Sequence, residues 1–262
     1  MGVVNTTPDS FSDGGRFLAP DAAFAHGLEL LTAGADLLDV GGESTRPGAL
    51  PVSAEEEIAR VVPVVRRLAA AGAVVSVDTS KADVARAALA AGARMVNDVT
   101  ALGDPAMADV VASAGAGLIL MHMRGMPATM QLAPPPSEDI VADVLAYLAD
   151  RLEVAERAGI ARGAVALDPG IGFGKTTAQN VAILAGLPRL RALDRPLVLG
   201  VSRKSVLGAL TGRPVDGREA ATTAAHAVGI FLGADIIRAH DVAAALDAAR
   251  VAGAIASAGG AP

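Results

Sequence analysis

The chain of 262 residues is 52% hydrophobic, carries 28 acidic against 22 basic residues for a formal net charge of −6, and contains no cysteine. That composition excludes disulfide frameworks, thiolate nucleophiles and Cys-ligated zinc; with 2% aromatics and no basic face it also argues against nucleic-acid binding, so an anionic ligand needs locally placed cations. Apolar runs are broken by Asp, Glu, Arg or Gly before reaching the roughly 20 residues of a membrane helix, and the start lacks a basic segment with a signal core, which predicts a cytoplasmic protein.

The first strand-like run covers residues 2–5. Met1 to Thr6 formally fits a myristoylation pattern, but its apolar residues read as a strand, and Asn5-Thr6-Thr7 is a glycosylation sequon without use in the cytoplasm. Further strands are expected at 37–40, 74–77, 95–97, 118–121, 165–167, 197–200 and 235–237. Alanine-rich amphipathic helices lie between them, at 21–33, 54–70, 83–90, 139–158 and 218–232. Gly34, Gly72, Gly92, Gly159 and Gly233 stand where a left-handed C-cap is wanted. About eight βα units on continuously apolar strands predict a single (β/α)8 TIM barrel over residues 1–262; an open doubly wound sheet usually needs fewer units.

Long polar loops follow the first, second, fifth and sixth strands, and such loops on a rigid barrel are the usual home of binding elements. The first, Asn5-Thr6-Thr7-Pro8-Asp9-Ser10-Phe11-Ser12-Asp13-Gly14-Gly15, mixes oxygen ligands with one aromatic, although these are also ordinary loop formers. Asn5 is placed to meet Mg²⁺, a hard cation that keeps most of its waters while bridging phosphates. Three strands end in acids or amides: Asp78, Asn97-Asp98 and Asp168. Either Asp78 or Asp168 alone would serve as a helix cap. Together they suit the N–H edge of a guanine-like or pterin-like ring, since a carboxylate accepts two such hydrogen bonds.

Pro169-Gly170-Ile171-Gly172-Phe173-Gly174-Lys175-Thr176 approaches a phosphate loop, but Pro169 stands where that pattern needs Gly. Its glycines are expected to let the backbone pass close to a flat ligand, with Phe173 against it. Ser202-Arg203-Lys204-Ser205 and Arg238-Ala239-His240-Asp241 follow strands seven and eight, where barrels commonly bind phosphate. Arg203 sits on the opposite side of the chain from its neighbours and fits a solvated charge better. His26 and His226 read as packing or surface residues and His122 as a hydrogen-bonded structural group; no i, i+4 histidine pair suggests zinc.

These blocks, together with Gly42-Glu43-Ser44-Thr45-Arg46-Pro47-Gly48, Ser76-Val77-Asp78-Thr79 and Leu120-Met121-His122-Met123, occur in an order that resembles the dihydropteroate synthase family across essentially the whole chain. The resemblance implies condensation of 6-hydroxymethyl-7,8-dihydropterin diphosphate with 4-aminobenzoate, giving 7,8-dihydropteroate and diphosphate, in a family inhibited by sulfonamides. It assigns the pterin to Asp78, Asn97, Met121, Asp168, Phe173, Lys204 and Arg238. Aminobenzoate falls to Phe11, Thr45, Arg46, Pro47, Lys204 and Ser205, and the diphosphate to Asn5, Arg46 and His240, with Mg²⁺ on Asn5. Asp78, Lys204, Arg46 and Asp13 become the candidates for catalysis, Asp13 and Phe11 lying on a mobile first loop. A homodimer through the late helices is a further implication.

Two departures accompany the resemblance. Thr6 stands where the family has an aliphatic residue, beside the expected metal ligand. The segment before the first strand is short or missing, which implies a start assigned too late or a lost N-terminal plug. A pterin-binding methyltransferase barrel, moving methyl groups from methyltetrahydrofolate, would share the Asp and Asn pocket but would not need Ser44 to Gly48. A catalytically silent pterin-binding paralogue is the other alternative.

Overall fold

The computed structural model describes residues 1–7, 19–44, 48–126 and 128–260. Eight strands alternate with helices: β1 (Gly2–Asn5), β2 (Leu38–Gly41), β3 (Val75–Asp78), β4 (Met95–Asp98), β5 (Gly117–Met121), β6 (Val165–Asp168), β7 (Val198–Leu199) and β8 (Ile236–Ile237). β1 to β6 pair in sequence order and in parallel, as do β7 and β8. Single parallel bridges, Leu167 to Leu197 and Gly2 to Ala239, join the two sheets at both seams, so the ring closes as expected. Successive residues along each strand point their side chains alternately in and out. The inner layer near the N-terminal end is a small apolar cluster of Ile119, Ala166 and Val198 with Met95 and Ile236 against it, while the much larger core lies between strands and helices.

The helices are α1 (Ala19–Thr32), α2 (Ala54–Ala70), α3 (Ala82–Ala90), α4 (Met107–Ala114), α5 (Ile140–Arg157), α6 (Thr177–Ala185), α7 (Leu187–Leu190), α8 (Ser205–Thr211), α9 (Glu219–Phe231) and α10 (Val242–Ile255). Local chemistry fixes their starts. Ser53 accepts the Glu56 N–H at 3.2 Å, Asp139 accepts those of Val141 and Ala142, and Thr176 with Gln179 forms a reciprocal capping box. Val61, Val64, Val65 and Leu68 form the buried stripe of α2 at helical spacing. The five expected C-cap glycines all have φ between 87° and 114°.

The assigned strand ends move by at most one residue from the sequence reading. One statement needs correction: Val242–Gly259 is long and apolar enough to cross a membrane by length and composition. Alanine and valine supply that hydropathy. In the fold, Val242, Ala245, Ala248 and Ala252 are buried and the helix packs beside α9.

Burial predicts a contrast within the α5 region. Leu148 is fully buried whereas Leu132, in the preceding loop, is 82% exposed. Leu148→Ala should lower unfolding free energy by about 2–5 kcal/mol, and Leu132→Ala should stay within about 0.5 kcal/mol. Urea titration checks both; equal midpoints would contradict the assigned core.

Candidate active site

At the C-terminal end of the ring, strand register places Asn5 beside Gly41, Gly41 beside Asp78, and Asp78 beside Asn97. Met121 is level with Asp168 on the far side. Two residues below each inward position lie inner-layer groups such as Ile119 and Ala166, so the same alternation carries Met121 and Asp168 to the mouth. Asp98 takes the opposite face: its carboxylate accepts from Thr100 N–H at 2.8 Å, Thr100 Oγ1 at 2.6 Å and Leu102 N–H at 2.7 Å. That arrangement holds Ala101 and Leu102 at positive φ of 51° and 67°. Asp98 is therefore structural and leaves Asn97 to the mouth.

Arg238, directly after β8, is the hub of the mouth. Its Nε donates to Asp39 Oδ2 at 2.6 Å and its Nη2 to Asp78 Oδ2 at 2.8 Å. Asp39 also accepts from Asn97 Nδ2 at 3.0 Å and is completely buried. Two carboxylates share one guanidinium in a desolvated site. Burial therefore pushes the Asp78 carboxyl up to about 7, against the pull of Arg238. For Arg238 itself burial opposes the charge, but Asp39 and Asp78 outweigh it and drive the guanidinium higher still. Asp78 Oδ1 is buried without a partner among the described residues, an acceptor level with the rim. Asp78 is no helix cap: α3 begins later, with Lys81 at its N-cap.

Asp168 accepts the Gly170 N–H through Oδ1 at 2.7 Å, and burial raises its carboxyl against the pull of Lys204. Lys204 follows β7; its Nζ lies 4.5 Å from the centre of the Phe173 ring and bonds the Ile171 carbonyl. Burial lowers its ammonium to about 8, opposed by Asp168. Lys175 points elsewhere. Its Nζ donates to the carbonyls of Gly170 at 2.7 Å, His122 at 3.0 Å and Phe173 at 3.2 Å, so it staples the glycine loop to the end of β5. The glycines serve that same packing. A Cβ at Gly170 would lie 1.9 Å from the His122 carbonyl oxygen, and one at Gly174 2.0 Å from that of Arg124.

His240 Nδ1 bonds Ser202 Oγ at 3.0 Å, and the His240 N–H donates back to the same oxygen at 3.3 Å, tying the loops after β7 and β8. Arg203, as expected, turns outward to Glu219 at 2.5 Å. Ser205 opens α8 and is exposed. Thr6 donates through Oγ1 to the Gly41 carbonyl at 3.0 Å, anchoring the chain next to Asn5. At the base of the second loop, Glu43 accepts the Val52 N–H at 3.2 Å and Lys81 bridges Glu43 to the buried Glu57. Phe11, Asp13, Thr45, Arg46 and Pro47 lie outside the described residues. His122 packs edge-on to Tyr147 at 5.0 Å with Nδ1 unpartnered, so its ring is packed where a hydrogen bond was expected; burial pushes it down to about 3.

Sequence reasoning missed Asp39. A signal was present: a lone carboxylate inside the run Leu37-Leu38-Asp39-Val40, two residues before the rim and so on the same face as it. No group of three or more His, Cys, Asp or Glu side chains suited to a metal occurs among the described residues.

With this geometry in place, the family model described as pterin binding enzyme matches residues 1–240. The dihydropteroate synthase of Mycobacterium leprae is 50% identical over 261 residues, covering 97% of this chain and 92% of that protein. The Xanthomonas albilineans dihydropteroate synthase solved with 4-aminobenzoic acid superposes with a TM-score of 0.92 at 51% identity, covering 97% of this chain and 92% of that one. The same enzyme in complex with 7,8-dihydropteroate gives 0.89 at 48% identity, with coverage of 97% and 92%. The chain belongs to the dihydropteroate synthase family of pterin-binding barrels.

Lys175 predicts a pH signature in stability. Burial lowers its ammonium from 10.5 to about 7 in the folded state. Between those values the unfolded chain binds more protons, so stability rises with pH. In denaturant titrations at pH 7 and 9, the parent should gain stability and Lys175→Met should lose most of that gain. Lys175→Met should also be less stable at pH 7 by about 1–3 kcal/mol, because carbonyls are left without a donor. Identical pH slopes for the two proteins would refute this role.

Proposed function

We propose that this chain condenses 6-hydroxymethyl-7,8-dihydropterin diphosphate with 4-aminobenzoate. The carrying observation is the buried Asp78 Oδ1, which has no partner among the described residues, with Asn97 level with it on the next strand and Asp168, Lys204 and Arg238 grouped around Gly200. A pterin edge offers N–H donors to such acceptors, and its carbonyl accepts from a cation such as Lys204. Met121, buried at the end of β5, and half-buried Phe173 supply apolar contact for a flat ring.

In the reaction the carbon–oxygen bond breaks and diphosphate leaves with the electron pair; the amine nitrogen then bonds the methylene carbon, and the amine proton passes to solvent. An arylamine is a weak nucleophile, so departure of the diphosphate carries most of the barrier. Asp78, at the mouth, is placed to stabilise positive charge developing on the methylene, while Lys204 and His240 face the departing anion. The family resemblance assigns Asn5 and Arg46 to the diphosphate and Phe11, Thr45, Arg46, Pro47, Lys204 and Ser205 to aminobenzoate, with Asp13 as a further candidate for catalysis. Asn5 would hold Mg²⁺, an ion usually bound by few protein ligands that keeps most of its waters. When bound, it neutralises charge on the leaving group.

Leu210, Val228, Val251 and Ile255 are exposed apolar residues on α8, α9 and α10, and we assign them to a homodimer contact between late helices. The enzyme acts in the cytoplasm on small molecules, without nucleic acid or membrane as partner.

Purified protein with both substrates and Mg²⁺ should release diphosphate and form dihydropteroate, with sulfonamide competing against aminobenzoate. No product at saturation would leave a silent pterin-binding paralogue. Asp168→Asn should raise the KM for the pterin diphosphate about 10- to 100-fold, the worth of hydrogen bonds to a charged group, whereas Arg46→Ala should mainly impair aminobenzoate use. Parent-like behaviour of both variants would place the site elsewhere.

The pH profile of kcat/KM for the pterin diphosphate should be bell-shaped. Its acid limb reflects Asp78, raised to about 7, and its alkaline limb Lys204, lowered to about 8. Lys204→Arg should displace the alkaline limb to higher pH; an unchanged limb would assign it to another group.

A further inference from the structure

We propose that Asp39 is a positioning residue that fixes the direction of the Asn97 amide, and thereby the donor–acceptor pattern with which the mouth reads a pterin ring. The inference rests on the pterin reading of this site and deepens it.

Asp39 is wholly buried in the interior of β2, below the rim, so it acts on a ligand only through other groups. Its Oδ2 takes two donors, Asn97 Nδ2 at 3.0 Å and Arg238 Nε at 2.6 Å. A carboxylate paired with a guanidinium only accepts hydrogen bonds. The NH₂ end of Asn97 must therefore face Asp39, which turns the amide oxygen the other way. Asn97 sits in register with Asp78, whose Oδ1 is an open acceptor of the mouth. The bond to Asp39 is the one hydrogen bond that the described residues give the Asn97 side chain, so nothing else there sets its direction.

Turned round, the same amide would offer a donor where the ring also offers donors, and two donors cannot pair. The Arg238 contact adds a second constraint. With Nε held by Asp39, Nη2 is directed to Asp78 at 2.8 Å. Asp39 Oδ1 meanwhile is buried without a partner. A half-satisfied carboxylate inside a barrel strand costs stability, and such breaches of the packing rules are expected at functional sites.

The test is a double-mutant cycle in the full-length protein, with Asp39→Asn, Asn97→Ala and their combination. The dissociation constant for 6-hydroxymethyl-7,8-dihydropterin diphosphate and the KM for aminobenzoate are the readouts. Asp39→Asn keeps the shape but frees Asn97 to turn. It should weaken pterin binding about tenfold or more, the scale of one hydrogen bond to a charged group, with the aminobenzoate KM within about threefold. In the Asn97→Ala background the same change should cost several-fold less, because the coupling is carried by contact.

Additive effects, an equal rise in both substrates, or unaltered pterin affinity would overturn the proposal. Should Asp39→Asn not fold, NMR of the Asn97 side-chain amide in the parent decides. Slow exchange and a downfield proton support the bond, and exchange like that of an exposed amide refutes it. If the parent itself fails to bind the pterin, the functional reading falls, while the NMR result still judges the geometry.

Discussion

Arg238 is held by two carboxylates that reach it from strands early in the chain. Asp39 lies 199 residues and Asp78 160 residues away in sequence, and only closure of the barrel between β8 and β1 brings them within hydrogen-bond distance. The site therefore depends on the seam. Gly2 bridges Ala239 there, and the neighbouring side chain, Arg238, turns into the mouth. A guanidinium shared by two acids cannot neutralise both, so one excess negative charge stays buried. Burial, with a smaller push from Asp39, raises Asp78, and one oxygen of each carboxylate has no partner among the described residues. An apolar replacement of the cluster would pack better, but it would leave nothing to receive N–H donors.

The fold was legible because barrel strands repeat one signal. Short apolar runs alternating with alanine-rich helices closed by Gly34, Gly72, Gly92, Gly159 and Gly233 gave the eight units, and those glycines adopt the left-handed conformation expected of them. Strand limits were less legible. An assigned strand lasts only as long as its ladder, and at the two seams the ladder shrinks to single bridges, leaving β7 and β8 as two-residue pieces.

The site was legible at its rim and opaque beneath it. Asp78, Asn97, Asp168 and Arg238 each stand at or beside a strand end, where a polar residue terminates an apolar run, and Lys204 stands in the loop after β7. Asp39 stands inside a run, and only the period of two, applied across the barrel, shows that it shares a face with the rim. The glycine loop was partly legible for a related reason. Its sequence says that the backbone comes close to something, without saying to what; the structure shows the His122 and Arg124 carbonyls there, with Lys175 bound to three carbonyl oxygens. Long-range pairing of this kind leaves no local pattern.

Electrostatics then orders the two ends of a ligand. The described mouth holds Asp39, Asp78 and Asp168 against Arg238 and Lys204, since Lys175 is spent on backbone carbonyls. A neutral ring with N–H donors is welcome among the acids, but a diphosphate there would be repelled at short range in a low-dielectric site. Lys204 and His240 follow β7 and β8, the end of a barrel at which phosphates are commonly bound. A chain of net charge −6 has no general attraction for an anion, so any such attraction rests on these few groups.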